Sequence, residues 1–523
     1  WLKGSRTGPR GTAARAMQAD GDPPPAPPPE RMPDQGMPAS QPYALHPDDS
    51  VSFVYVSFQG LKRVSPQALV GEYGALRFAR NLRDVEIALH DATRRLKELG
   101  VFKDLRADVT VLPNGIVDVS FVTEERGRQL TVSGNVDKKG EVACDVQAQQ
   151  PALLGGPLSL SGSARSSVSQ AHEFSLRLST PRFFGRRYTS SFEVARVGSD
   201  EIQASSYGER VTHANWNVAT PSGRHSLAAE VALRDLLPAT GGYRTPSVEV
   251  QQARLRSIKA GLKYSFSWAW RHPAFWAPWM AFTPRAASGS SAVRGNVELA
   301  GVGGDARFVR GEAHAGTAWQ LPWAGLEWTA TCCCGALLPA GGRLSCLQDR
   351  FFLGGASGSS TVLKGFSHRG LGPVGICSAR AAHAPDGEER GCAPPHGSTR
   401  APSLLGARRY TDALGGDAMV CAFSAISAPL PLTVGGTGGS AASAGARVFG
   451  FVGAGSIAER TNVGPSAVAR DLAEDLRASA GVGIGIPFSG LGALELTFAL
   501  PFWARSHDVC QRWQAGLRLD MST

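Results

Sequence analysis

The stretch from Arg350 to Pro373 reads Arg350-Phe351-Phe352-Leu353-Gly354-Gly355, then a run of Ser and Gly, then Leu363-Lys364-Gly365-Phe366, and then Leu371-Gly372-Pro373. It is too rich in Gly for a helix or a packed strand. It reads as a long loop whose tip carries one cation, Lys364, and one aromatic plug, Phe366. A lone Lys-Gly-Phe has no meaning beyond a surface loop. The ordered run on both sides of it makes this stretch specific.

The sequence around the loop alternates. Phe174, Leu176 and Leu178 alternate with Ser175, Arg177 and Ser179. Leu494, Leu496, Phe498 and Leu500 alternate with Glu495, Thr497 and Ala499. Ala515, Leu517, Leu519 and Met521 alternate with Gln514, Gly516, Arg518 and Asp520. A period of two is a strand with unlike faces. In a soluble sandwich the apolar face packs on a second sheet. In a membrane barrel it faces lipid, and the polar face lines a wet lumen. Charges recur on the second face, strand after strand, which suits a lumen. The pattern predicts an all-β transmembrane barrel of about sixteen antiparallel strands over residues 127–523. The one helical pattern in this region is Ala467 to Arg477, in a loop. Phe266, Trp268, Trp270, Phe275, Trp276 and Trp279 cluster as an aromatic girdle at the headgroup level would.

Composition agrees. The 523 residues contain no apolar run of about 18, so a helical membrane span is excluded. Gly makes up 62 of them, above the usual ~7%. The net charge is +10, but the basic residues are scattered rather than interleaved with stacking aromatics, which argues against nucleic acid. Nine Cys occur without framework or zinc-finger spacing. Cys332-Cys333-Cys334 reads as small apolar side chains in a strand, and nothing in the sequence favours a Cys377–Cys392 disulfide. No phosphate loop, nucleophile elbow or metal-spaced His/Asp/Glu set is present, so neither a cofactor nor an enzyme activity is expected.

Ahead of the strands, residues 1–48 are Pro-, Gly- and Ala-rich and cannot bury a core, so a disordered tail is expected. Its early cations resemble a transit peptide, but Gly and Pro interrupt any helix, and the initial Trp1 leaves the start open. Residues 49–126 read strand, helix, helix, strand, strand. Ser65-Pro66 opens the first helix, Asp84 caps the second, and Gly100 ends it. Val85, Leu89, Ala92, Leu96 and Leu99 form one apolar stripe on that second helix.

These motifs resemble the POTRA-plus-barrel outer-membrane protein assembly family, also called the bacterial surface antigen family. Its inward-folded loop carries an Arg-Gly-aromatic tip, where this chain has Leu363, Lys364, Gly365 and Phe366. Residues 49–126 are similar to its POTRA domain. Within the family the chain is most similar to the mitochondrial branch, the barrel subunits of the sorting and assembly machinery. That likeness runs through Pro151-Ala152-Leu153-Leu154-Gly155, Thr180-Pro181-Arg182, Leu414-Gly415-Gly416-Asp417, Ala428-Pro429-Leu430-Pro431, and a terminal-strand β-signal with Gln514, Gly516, Leu519 and Met521. The one POTRA-like domain in this stretch fits the mitochondrial branch, since bacterial and chloroplast relatives usually carry several, unless the start of the chain is truncated.

The resemblance implies insertion of β-barrel precursor proteins into the mitochondrial outer membrane, with accessory subunits of the sorting and assembly machinery and membrane lipid as partners. A client strand would enter between the gate strand Leu130, Val132, Gly134 and Val136 and a last strand from Cys510 to Met521. The alternatives are a protein-translocating pore of the same fold and a passive solute porin. Two departures stand out. Lys364 lacks the forked contacts of Arg. Gly453 stands where the family often has an acid facing the tip, which leaves Asp417 as the candidate partner of Lys364. Residues 374–412 read as an insertion after the tip.

Overall fold

The computed structural model describes residues 48–112, 115–136, 142–167, 172–183, 185–239, 244–275, 287–321, 325–341, 344–355, 363–379, 411–430, 446–459, 464–488 and 492–518. The disordered-tail expectation for residues 1–48 lies almost wholly outside them, as do Leu519, Met521, Trp276, Trp279 and Cys392.

The first folded unit is a mixed sheet under two helices. Its elements are β1 (Phe53–Gln59), α1 (Pro66–Tyr73), α2 (Leu82–Glu98), β2 (Phe102–Leu112) and β3 (Ile116–Glu125). The strand order is β1-β3-β2, with β1 parallel to β3 and β2 antiparallel to it. Val117, Val119 and Phe121 alternate into the core, where the stripe of α2 meets them. The cap of α2 differs from expectation. Asn81 is the N-cap, and its side chain accepts from the Asp84 amide at 2.7 Å. Asp84 stands in the first turn and reaches back to the Arg80 amide at 3.3 Å. Either residue type satisfies an orphan amide, and the helix starts one turn earlier than the apolar stripe.

The rest is one meander. Its strands are β4 (Gln129–Val136), β5 (Val142–Leu153), β6 (Leu158–Ser167), β7 (His172–Thr180), β8 (Thr189–Asp200) and β9 (Tyr207–Ala219). They continue as β10 (His225–Pro238), β11 (Arg256–Phe275), β12 (Ala287–Gly304), β13 (Phe308–Gln320) and β14 (Glu327–Pro339). After the long loop come β15 (Ala418–Pro429), β16 (Arg447–Ala458), β17 (Arg477–Phe488), β18 (Gly492–Trp503) and β19 (Trp513–Arg518). All sixteen form a single sheet in sequence order, so every neighbour is a hairpin neighbour or, at the long loop, its equivalent. The sheet curls until β4 and β19 come within 8 Å of each other, Cα to Cα.

The two faces differ as the alternation requires. Phe174, Leu176, Leu494, Leu496, Leu500, Trp268 and Trp270 are exposed on one face, while Thr497 and Ala499 are buried on the other. Such a band of exposed apolar side chains is out of place in water and at home in lipid. Cys333 is buried between exposed Cys332 and Cys334, so the triplet obeys the same period. The helix expected over Ala467 to Arg477 is α3 (Pro465–Glu474), and Arg477 already belongs to β17. The described ends of the 374–412 insertion pair with each other, Val374–Ile376 against Thr411–Ala413.

The two units are docked. The β5–β6 turn sends Ala152 into the core of the first unit, and the Ser65 amide donates to the Gly155 carbonyl at 2.8 Å. Arg182, in the β7–β8 turn, forks onto Glu72 of α1 at 2.6 and 2.9 Å. Both side chains are nearly covered. Arg182→Ala should therefore cost about 1.5–3 kcal/mol of docking, the usual range for a hydrogen bond to a charged group. Amide exchange at Ser65 should speed up while exchange in β10–β13 stays unchanged; equal exchange at Ser65 would show that the turn does not hold the unit.

Candidate functional site

Residues 344–355 and 363–373 leave the end of the meander remote from the first unit and fold onto its inner face. Their apolar side chains explain why. Phe351, Leu353, Leu363, Phe366 and Leu371 are buried in one cluster with Met419, Cys421 and Ile457 of the wall. Each such side chain contributes about 1.5–3 kcal/mol of burial. The base of the loop is fixed by a buried ion pair, Arg234 with Asp349 at 2.5 Å. Phe351 and Gly416 exchange backbone hydrogen bonds of 2.8 and 3.0 Å, which ties the two roots of the loop together.

The tip is seated on the last strands. Gly365 has φ +91°, and a Cβ there would lie 3.1 Å from that of Ala499, so only Gly fits. Lys364 is buried, and its Nζ reaches Glu495 Oε2 of β18 at 2.7 Å. The same ammonium lies over the rings of Phe449 and Phe451, at 5.5 and 5.9 Å from their centroids. Its backbone carbonyl accepts from Ser479 Oγ of β17 at 2.5 Å. Phe366 is fully buried.

Gln514 of β19 grips the tip from the other side. Its Oε1 accepts from the Gly365 amide at 3.0 Å, and its Nε2 donates to the Phe366 carbonyl at 2.7 Å. One carboxamide thus does for the tip what a neighbouring strand would do. The connection from β18 to β19 completes the seat. The Gln511 amide donates to the Gly365 carbonyl at 2.8 Å, and the Ser367 amide donates to the Val509 carbonyl at 2.9 Å. Asp508 in turn is held by Arg477 at 3.2 Å, both fully buried.

Several sequence readings change here. The acid that meets Lys364 is Glu495, in place of Asp417, whose carboxylate stands 3.9 Å from Arg350. Gly453 does face the tip. A Cβ there would come within 3.0 Å of Leu363 Cδ1, so the space of a wall acid is taken by the leucine. The last strand starts at Trp513 rather than Cys510, because residues 509–511 give their backbone groups to the loop. His368 lies 3.2 Å from Glu201, and Arg369 donates to the Tyr207 hydroxyl at 2.8 Å, which ties the far arm of the loop to β9 and the turn before it. Glu495 was visible in the sequence as a lone acid on the inward face of a strand otherwise lined by Thr and Ala, but nothing marked it as a partner.

The remaining candidates sit at the seam. Leu130 and Val132 of β4 are strongly exposed, at 71% and 64%. Gly134 and Val136 pair with Cys144 and Val142 of β5. Across from them, Gly516 is the register partner of Glu495, and Gln514 that of Thr497. Among the described residues no ladder joins β4 to β19; each pairs on one side alone.

The model of the Omp85 superfamily domain matches residues 153–519, most of the chain. The chain belongs to the Omp85 superfamily. It is 26% identical to the sorting and assembly machinery component 50 homolog A of Xenopus laevis over 496 residues, covering 88% of each chain. The human sorting and assembly machinery component 50 homolog is 26% identical over 479 residues, again with 88% of each chain covered. Among solved structures, BamA from Haemophilus ducreyi lacking POTRA domains 1-3 superposes with a TM-score of 0.63 at 18% identity, over 88% of this chain and 83% of that one. This Omp85 chain is therefore an outer-membrane β-barrel, as the alternation and the loop predicted.

The carboxamide of Gln514 gives this Omp85 chain a measurable joint between loop and last strand. Gln514→Ala removes both of its bonds to the tip and leaves the Gly365 amide buried without that acceptor. A loss of about 1–3 kcal/mol of local stability is expected. It should appear as faster amide exchange at Gly365, and unchanged exchange there would rule the joint out.

Proposed function

We propose that this chain inserts β-barrel precursor proteins into the mitochondrial outer membrane, acting without chemistry of its own on the client. The observation that carries this reading is the seat of the loop tip. Lys364, Gly365 and Phe366 bind β17, β18 and β19, so the loop is fastened to the very strand that borders the unladdered seam. The mitochondrial location and the accessory subunits of the sorting and assembly machinery as partners are supported by the likeness to component 50 homologs.

In this reading a precursor presents its terminal strand to the free edge of β4. Strand addition to an edge uses main-chain hydrogen bonds for affinity and alternate side-chain pockets for specificity. Hairpins then follow one at a time. Each backbone group finds a partner before it meets hydrocarbon, where a bare one would cost several kcal/mol. Exposed Leu130 and Val132 offer the incoming strand an apolar flank. Gln514, Gly516, Leu519 and Met521 form the chain's own β-signal at the opposite edge. Residues 49–126 act as a POTRA domain, held beneath the barrel by Arg182 and receiving precursors on the intermembrane-space side. Membrane lipid surrounds the apolar band, and no nucleotide is needed.

The test is reconstitution. The purified chain in vesicles of mitochondrial outer-membrane lipids should speed the conversion of an added β-barrel precursor to its protease-resistant form. A precursor without its terminal strand should gain nothing. Equal acceleration of both precursors would leave a nonspecific lipid effect and sink the proposal.

A further inference from the structure

A second feature lies on the inner wall, halfway round the sheet from the seam. A cavity of about 370 Å³ opens where β10, β11, β12 and β13 run side by side. Lys263, Arg294 and His314 line it, together with Ser226, Ser265 and Asn296. Register sets Ser267, Arg294 and His314 in one row, Ser265, Asn296 and Glu312 in the next, and Lys263, Glu298 and Arg310 in the third. Val297 and Leu299 are exposed on the outer face, so alternation turns Arg294, Asn296 and Glu298 inward.

The wall's acids already have donors of their own and, among the described residues, leave Lys263 and Arg294 without an ion pair. Glu298 stands directly across from Lys263, yet its carboxylate accepts from Lys259 at 2.8 Å. Glu230 shares that same Lys259 at 3.0 Å. Glu312 takes Arg310 at 2.6 Å and the side-chain Nδ2 of Asn296 at 3.1 Å, and it stands 3.9 Å from His314 Nε2. No Asp or Glu lines the cavity. Among the described residues Lys263 and Arg294 have no carboxylate within 4.0 Å, unlike Lys259, Arg310 and Arg177 on the same inner face. His314 adds a buried Nδ1 that has no hydrogen-bond partner. Lys263 and Arg294, two rows apart on neighbouring strands, place two like charges along one wall of a confined lumen, where they attract an anion.

We infer that this cavity binds the carboxylate side chains of a substrate polypeptide within the lumen. Arg294 supplies a planar fork that fits one carboxylate, and Lys263, two rows along the wall, supplies a point charge for another. Ser265 and Ser226 offer hydroxyls to the remaining lone pairs. A segment that enters between β4 and β19 and folds inward faces this wall across the lumen. The identity of the polypeptide as a precursor rests on the assembly role proposed above; the anion site does not. Inorganic phosphate would meet the same donors, so the test separates the two.

The full chain is reconstituted in phosphatidylcholine vesicles and titrated with a fluorescent peptide of alternating Glu and Ser, with the Gln/Ser peptide as the neutral match. The Glu peptide is expected to bind and to weaken with added salt. Lys263→Glu with Arg294→Glu should weaken it by about tenfold or more, which is what ~1.4 kcal/mol represents. Lys263→Arg with Arg294→Lys should keep it. If the charge-reversed pair fails to fold, Lys263→Gln with Arg294→Gln takes its place, with the same direction expected. Equal binding of the two peptides, or binding unmoved by these changes, overturns the inference. So does binding of inorganic phosphate with none of the Glu peptide. Because no precursor is inserted in this assay, a chain that binds the peptide but fails to insert precursors counts against the assembly role alone.

Discussion

Lys364→Glu is expected to remove nearly all precursor assembly. The substitution places a carboxylate where an ammonium now meets Glu495 at 2.7 Å, in a site with almost no solvent. Breaking a buried pair from one side typically costs about 3–5 kcal/mol, because the remaining charge is left uncompensated. Two facing carboxylates also repel, and the aromatic faces of Phe449 and Phe451 disfavour an anion as they favour a cation. The bonds from Ser479, Gln511 and Gln514 hold the tip by its backbone groups and do nothing to compensate this charge. The tip should therefore lift off β17 and β18 and release the fastening at β19. Lys364→Arg keeps the charge and should retain activity. The exchange of both charges, Lys364→Glu with Glu495→Lys, should recover part of what Lys364→Glu loses. The assay is the yield of protease-resistant precursor at matched amounts of folded chain. Full activity of Lys364→Glu, or no recovery in the exchange, would show that the pair does not matter to assembly.

The sequence and the structure agree where the signal is local. A period of two is visible in Leu494 to Leu500 without any knowledge of neighbours, and it returns as exposed leucines outside and buried Thr497 and Ala499 inside. The helix stripe from Val85 to Leu99 is equally local, and so is the Gly-rich loop with its apolar side chains. What could not be read depends on which strands the loop meets. Lys364 and Glu495 are 131 positions apart, and only the curl of the sheet brings them together. Asp417 is nearer in sequence, but it lies at the root of the loop, beside Arg350, instead of at the tip. The start of the last strand was misplaced for the same reason. Val509 to Gln511 look like strand and are paired, but with the loop tip and not with β18. Gln514 was singled out as part of a terminal motif; its grip on Gly365 and Phe366 is a relation between two motifs that no single stretch contains.

The central claim is that the seam between β4 and β19 opens to admit a client strand. These strands approach within 8 Å and carry no ladder to each other among the described residues. The closing groups of a barrel wall elsewhere are paired along whole strands, as in the unbroken register of β13 with β14. Among the described residues the seam is therefore the place where parting costs the fewest hydrogen bonds. The most direct measurement scans single cysteines along β4 against single cysteines along β19, in a chain whose other cysteines are replaced, and follows precursor insertion before and after disulfide formation. Facing pairs should crosslink in the resting protein. The crosslinked chain should stop inserting precursors and resume on reduction. A covalently closed seam that inserts precursors at the uncrosslinked rate would contradict the lateral gate outright.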